Sequence, residues 1–351
     1  MASADPDIDP VFELLCGCVA NDDGETHPEP GLACFLDSSN AASSQSTTAS
    51  GFTVENPANE ELEHDIFTSR DVHSNSAVAK DQKSISAVVD KEEVIHDRFV
   101  IPTEIPMPIV SRRNVEGCDA FVLDGVLSSE ECASLVEQAD GLWSFWDSSA
   151  TPRVSFRNAF TIEVTHQELA DRIWSRVGRL VTPCVSIAEE DERFEVDIEG
   201  DWKPYAMNPK LLLSRYLDGG HFSPHTDGTT VVDFNRRTFY SCVLFLNASP
   251  WGGHTRLYNN SQIGRELRQD DEGRLTGEPE LVLEAVPPAP GRMLVFYHRL
   301  MHEGVPAAEK YIIRTDVLYR REPEMCTAPE DIEAFNMYQE AQLLAERGDC
   351  Q

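Results

Sequence analysis

The chain has 351 residues, 41% of them hydrophobic, and a formal net charge of −32 from 61 acidic and 29 basic residues. That length accommodates one large domain plus a tail. So acidic a surface repels phosphate backbones and anionic lipid heads, which argues against nucleic-acid and membrane partners. No apolar run approaches the roughly 20 residues of a membrane-spanning helix, and residues 1–20 lack the basic and apolar regions of a secretory leader. The nine cysteines contain no C-x-x-C pair and read as reduced thiols. The expectation is a cytosolic or nuclear protein.

Residues 1–95 read as an acidic, disordered tail. They are rich in Ser, Asp, Glu, Ala and Asn and include a Ser/Thr-rich stretch from Ser38 to Ser50. A folded domain is expected over 96–325, with order beginning near Phe99. A strand is predicted over Phe121–Leu127. Ser128 and Glu131 then form a capping box, in which each side chain satisfies an orphan backbone donor, and a helix follows over Ser129–Ala139. A second capping box, Thr165 with Glu168, opens a helix with Leu169, Ile173, Trp174, Val177 and Leu180 on one face. From Leu211 onward, short apolar runs alternate with Gly, Pro, Asn and Asp clusters. The runs are Leu211–Leu217, Phe239–Asn247, Thr255–Tyr258, Leu281–Val286, Met293–Tyr297 and Tyr311–Tyr319, a pattern of many short strands in a barrel or sandwich. The polar stretch Asn259–Glu280 reads as a long loop. A helix from Pro329 to Arg347, stopped by Gly348, occupies the C-terminal segment 326–351.

The chemistry concentrates in two places. In Tyr216-Leu-Asp-Gly-Gly-His-Phe-Ser-Pro-His225-Thr-Asp227-Gly228 a strand is expected to end near Leu217 and enter a Gly-rich turn. His225 and Asp227 lie two residues apart, so on extended backbone both point to one face. His302, where a strand runs into a turn, is the best third ligand. Two imidazoles and one carboxylate leave coordination positions open, an arrangement suited to Fe(II). His221 and His298 lie four residues before His225 and His302. Helical spacing does not apply in strand-like segments, so neither is expected to bind metal. Gly252-Gly253 reads as a tight hairpin turn. Asn247 and Thr255 read as structural, and Arg237 and Arg256 as cations near the barrel mouth.

Several segments, in order, resemble the prolyl 4-hydroxylase-like branch of the Fe(II)/2-oxoglutarate-dependent dioxygenases. They are Asn208-Pro-Lys-Leu-Leu-Leu-Ser-Arg-Tyr216, His225-Thr-Asp227-Gly228-Thr229, Val243-Leu-Phe-Leu-Asn247, Trp251-Gly252-Gly253-His-Thr255, Pro290-Gly291, His302-Glu-Gly-Val-Pro306 and Tyr311-Ile-Ile-Arg314-Thr-Asp316-Val-Leu-Tyr319. The resemblance covers Phe121 to Arg321. It implies an α+β fold with a double-stranded β-helix (jelly-roll) core and flanking helices. It also implies Fe(II), 2-oxoglutarate and O2 as cofactor and co-substrates, and leaves room for ascorbate. The implied reaction is hydroxylation of an aliphatic C–H of a protein, prolyl by analogy, or of a small molecule, coupled to decarboxylation of 2-oxoglutarate to succinate.

In this family a Lys or Arg on the strand after the distal His pairs with the far carboxylate of 2-oxoglutarate. Lys310 and Arg314 lie eight and twelve residues after His302 and four apart, so both face one side of a strand. Lys310 takes the family's usual position, although the turn before it is shorter than in the related pattern, so Arg314 stays open as the partner. Tyr216 resembles a family residue whose hydroxyl reaches 2-oxoglutarate. Two other readings use the same sequence: a catalytically silent barrel acting as a binding module, and a zinc hydrolase built on the same triad.

Overall fold

A computed structural model describes residues 99–100, 109–191, 193–194 and 198–346. The acidic tail over 1–95 and the Gly348 stop therefore lie outside the described residues. In chain order the elements are β1 (Ser111–Asn114), β2 (Ala120–Asp124), α1 (Ser129–Gln138), β3 (Ser144–Phe145), β4 (Arg157–Asn158), β5 (Phe160–Thr165), α2 (Gln167–Val177), β6 (Val185–Ile187), β7 (Gly200–Met207), β8 (Lys210–His225) and β9 (Val231–Asp233). There follow β10 (Arg236–Phe245), β11 (Thr255–Tyr258), β12 (Arg268–Gln269), β13 (Leu275–Thr276), β14 (Val282–Val286), β15 (Met293–Tyr297), β16 (His302–Glu322) and α3 (Pro329–Glu346).

The two longest strands organise the domain as a jelly roll because each serves two layers. The middle of β16, Ile312–Arg314, pairs with β10 on one side and β8 on the other, in the order β2-β15-β10-β16-β8-β5, and from Val317 onward β7 takes the place of β8. The first residues of β16, His302–Gly304, pair with β11, which continues to β14. Likewise the first half of β8 pairs with β5, and its second half, at His221 and Phe222, pairs with β4. The transfer between layers happens where the β8–β16 register shifts, between His302 and Glu309. Bulges bend a strand and let it cross from one sheet to the other.

That bend corrects one expectation. The strand entering the His225 motif does not stop at Leu217; it runs on to His225 through a kink at Asp218–Gly220. Asp218 has φ 48° and Gly219 φ 89°, and a Cβ on Gly220 would lie 2.8 Å from the Asn158 carbonyl oxygen. Only glycine fits that approach.

α1 and α2 cover the outer face of the larger layer, burying Cys132, Leu135, Leu169, Ala170, Ile173 and Val177. Ser128 and Glu131 form the expected capping box. Buried Glu131 also accepts from Arg176 at 2.7 Å and 2.9 Å, which ties the two helices together. The second box does not form. Thr165 stays in β5, paired with Lys210, and His166 is the N-cap, its Nδ1 accepting from the Leu169 amide at 3.1 Å. Glu168 instead faces Arg172. The predicted 259–280 loop is built structure: it contains the β12–β13 hairpin, held by Asp270, which accepts from the Arg274 amide and guanidinium. None of the described helices is long and apolar enough to cross a membrane.

Candidate active site

His225 ends β8, Asp227 follows it in the connecting loop, and His302 opens β16 directly opposite His225 in the register. One potential ligand atom from each lies within 4.8 Å of the other two, a group that can hold a metal ion. His225 Nε2 is 3.7 Å from Asp227 Oδ1, and His302 Nε2 is 3.8 Å from Asp227 Oδ2.

Local hydrogen bonds set the tautomers. His225 Nδ1 donates to the Ser223 carbonyl at 2.7 Å and His302 Nδ1 to the Leu300 carbonyl at 2.9 Å. Each Nε2 is thereby left with a free lone pair directed at the common centre. Burial lowers the pKa of both rings, for His225 with help from His302. Burial alone would raise Asp227, yet the Arg314 guanidinium, with the Ser241 hydrogen bond, holds its carboxyl below the usual range. The resulting donor set, two neutral imidazoles and one carboxylate, is the one a divalent iron site with open positions requires. Phe222 stacks on His225 with ring centroids 3.6 Å apart, and Phe296 lies beside His302 at 4.4 Å, so apolar rings fix both imidazoles.

The three residues share a cavity with Arg157, Tyr216, Lys310 and Arg314. The two candidate cations therefore face one side, as their spacing predicts, but their surroundings differ. Arg314 is already engaged: its guanidinium lies 3.2 Å from Asp316 Oδ2, 3.5 Å from Asp227 Oδ2 and 3.4 Å from Ser241 Oγ. Lys310 is 2% exposed, sits 4.3 Å above the Tyr216 ring, and has no carboxylate partner among the described residues. Burial pushes its pKa down to about 7. A buried ammonium without a counter-charge is costly, and an incoming carboxylate removes that cost.

Residues 211–315, a span that contains the triad, Tyr216, Lys310 and Arg314, match the family model of the 2OG-Fe(II) oxygenase superfamily. The chain carries a 2OG-Fe(II) oxygenase domain. It is a 2-oxoglutarate-dependent dioxygenase, with Fe(II), 2-oxoglutarate and O2 as its cofactor and co-substrates. Similar solved structures include a viral collagen prolyl hydroxylase from Paramecium Bursaria Chlorella virus-1 in complex with 2OG. It is 17% identical, covers 59% of this chain and 98% of its own, and has a TM-score of 0.35. A prolyl-4-hydroxylase from Pseudomonas putida is 16% identical over 59% of this chain and 94% of its own, with a TM-score of 0.33. A prolyl hydroxylase from Trichoplax adhaerens, in complex with a hypoxia inducible factor peptide fragment, is 16% identical. It covers 68% of this chain and 93% of its own, with a TM-score of 0.38. No curated protein sequence matches the chain.

The two non-ligand histidines lie apart from the triad's donor set. His221 Nε2 is 3.0 Å from the Ser155 carbonyl, and His298 lies between Ser241 and Thr238. Gly252 and Gly253, with φ 65° and 74°, do not close the expected hairpin: β10 and β11, which they connect, pair with other strands, and Gly252 bridges to Ala307. Asn247 is structural, bonding the Glu309 carbonyl and the Tyr311 amide. Arg237 is buried over Phe239 and lines neither site cavity, contrary to the expectation of a mouth cation. Arg256 does reach the mouth, bound to buried Glu303 at 2.8 Å. Sequence reasoning missed three contributors: Arg157, whose guanidinium lies 4.4 Å over Phe222, Ser241 beneath Asp227, and Glu303. For Glu303 a signal was present, an acidic residue immediately after a metal ligand in a strand. For Ser241 there was none.

Proposed function

We propose that this dioxygenase hydroxylates an aliphatic C–H of a peptidyl substrate, prolyl in the first instance, as a member of the prolyl 4-hydroxylase-like branch. The observation that carries the reading is one cavity holding a His225–Asp227–His302 donor set beside Lys310, a buried cation lacking a carboxylate. In this reading the triad holds Fe(II) and Lys310 takes the far carboxylate of 2-oxoglutarate, with Tyr216 as the floor beneath that contact. When bound, iron with 2-oxoglutarate and O2 supplies the oxidising power for an unactivated C–H, and succinate and CO2 are formed. Leu212, Val243 and Ile312 line the same cavity and keep water from the carboxylate contact. Arg314 serves Asp227 and Asp316, so it leaves the role of co-substrate partner to Lys310. A zinc hydrolase would leave Lys310 without a task.

The substrate side rests on a second cavity of about 230 Å³, which shares Phe222 and Gly304 with the first. Its walls are His221 and Phe222 of β8, Gly304–Pro306 of β16, Arg256, and the hairpin residues Asp270, Arg274, Leu275 and Thr276. The charges on these walls cancel in pairs, Arg256 with Glu303 and Arg274 with Asp270. A free amino acid needs uncompensated counter-charges for its ammonium and carboxylate. A neutral stretch of polypeptide needs only hydrogen-bond partners, which suits these walls.

The test is succinate formation by the iron-loaded protein with a degenerate prolyl-containing peptide library and, separately, with the free amino acids. Stimulation by peptides alone is expected. Stimulation by free amino acids alone would move the substrate to the small-molecule class.

A further inference from the structure

Behind Asp227 a line of buried side chains continues into the domain. Ser241 Oγ lies 2.5 Å from Asp227 Oδ2 and 2.8 Å from His298 Nδ1. His298 Nε2 lies 2.8 Å from Thr238 Oγ1, which also accepts from the Thr230 amide at 2.9 Å. Ser241 and Thr238 are 0% exposed and His298 2%.

Only one assignment of protons satisfies the chain. Ionised Asp227 can only accept, so the Ser241 hydroxyl proton is committed to Oδ2 and Ser241 Oγ must accept from His298 Nδ1. The neutral ring then accepts at Nε2 from the Thr238 hydroxyl, whose oxygen accepts from the Thr230 amide. Every donor points toward the carboxylate, and a run of bonds polarised in one direction strengthens each member. Arg314 adds a cationic group near the same oxygen, at 3.5 Å. Oδ2 is thus occupied from behind, leaving Oδ1 as the oxygen free to meet a metal.

The backbone is shaped for this. Thr238 and Ser241 are three residues apart, which on a regular strand puts them on opposite faces. The β10–β16 register shifts between Thr238 and Tyr240, so Phe239 is an extra residue that brings both hydroxyls to one face. The Phe239 carbonyl accepts from the His298 amide at 3.0 Å, and the His298 carbonyl accepts from the Asp227 amide at 2.9 Å. The bulge, the histidine and the carboxylate are therefore clasped through main chain and side chain together.

We propose that Ser241 and His298 are positioning residues that hold the Asp227 carboxylate in a one-oxygen binding pose for iron. This rests on the metal assignment made above. Partners behind a metal ligand typically change metal affinity by about 10–100-fold.

The experiment is anaerobic equilibrium dialysis of the full chain against Fe(II), with the visible spectrum of the Co(II)-loaded protein as a second readout. Ser241→Ala is expected to bind Fe(II) about 10–100-fold more weakly and to shift the Co(II) bands, while its metal-free form still melts in one cooperative transition. Ser241→Thr, which keeps the hydroxyl, is expected to restore both. Wild-type affinity and spectrum in Ser241→Ala overturn the proposal, and so does an equal loss in Ser241→Thr, which would indicate packing alone. Should Ser241→Ala fail to fold, His298→Phe cuts the same line one bond further away. A smaller loss of affinity there supports the proposal and an unchanged affinity overturns it. Failure of the wild type itself to bind Fe(II) would instead refute the metal assignment.

Discussion

Lys310→Met is the perturbation that separates a co-substrate contact from a merely buried lysine. The variant keeps the length and apolar stem of the side chain and removes its charge. Removing one partner of a buried ion pair costs about 3–5 kcal/mol. The lower end applies here, because the ammonium already titrates near 7 in the unliganded pocket. About 3 kcal/mol corresponds to roughly a hundredfold weaker 2-oxoglutarate binding. The pH dependence carries the same information with its sign fixed. Below about pH 7 the empty pocket already holds the protonated lysine. Above it, binding a carboxylate must draw in a proton. Affinity should therefore fall up to about tenfold per pH unit above neutrality, since each pH unit is worth about 1.4 kcal/mol. Conversely, the unliganded domain gains stability as pH rises from about 7 toward the lysine's ordinary value of 10.5, because only the unfolded chain then keeps the proton. Tyr216 lies beneath the ammonium, and Arg157, Asp227 and Arg314 line the same cavity. Calorimetry in buffers of different ionisation enthalpy reads both affinity and proton uptake. Binding by Lys310→Met within about threefold of wild type, with unchanged proton uptake, would refute the reasoning.

Arg314→Ala should weaken iron more than 2-oxoglutarate and lower stability by about 3–5 kcal/mol, because buried Asp227 and Asp316 lose their cation; thermal melts with and without Fe(II) check it. Glu303→Ala should release the β12–β13 hairpin, since the carboxylate accepts from Thr276 and the Gly277 amide. Amide exchange over 268–277 is expected to accelerate while the core strands stay protected. Gly252→Ala should cost more than about 1 kcal/mol, as a Cβ there would meet the Pro306 carbonyl oxygen at 1.9 Å on a backbone with φ 65°; chemical denaturation measures it.

Much of the site was legible because metal chemistry restricts residue types. His225, Asp227 and His302 follow from ligand type and strand spacing, Lys310 and Tyr216 from the family resemblance, and the fold brings all five into one cavity. The strands from Leu211 onward were legible from apolar runs between turn residues. What was missed depends on long-range geometry. β8 and β16 run through the kinks that local composition marks as turns, because a neighbouring strand supplies their hydrogen bonds. The His166 cap depends on Thr165 remaining in a sheet, a tertiary preference that overrides a good local motif. Arg314 and Lys310 have the same spacing logic, and only the position of Asp227 and Asp316 assigns them different tasks. The hydroxyls of Thr238 and Ser241 share a face only because of a one-residue bulge, which no pattern of side chains announces.

The central claim is that the triad and Lys310 together bind Fe(II) and 2-oxoglutarate. Its most direct test is an anaerobic titration of the metal-free protein with Fe(II) and then 2-oxoglutarate, watching for the weak visible charge-transfer band of the chelate. The account predicts that the band forms in the wild type, needs far more 2-oxoglutarate in Lys310→Met, and is lost in His225→Ala. A folded wild-type protein that gives no band, or a His225→Ala variant that gives the same one, would contradict it.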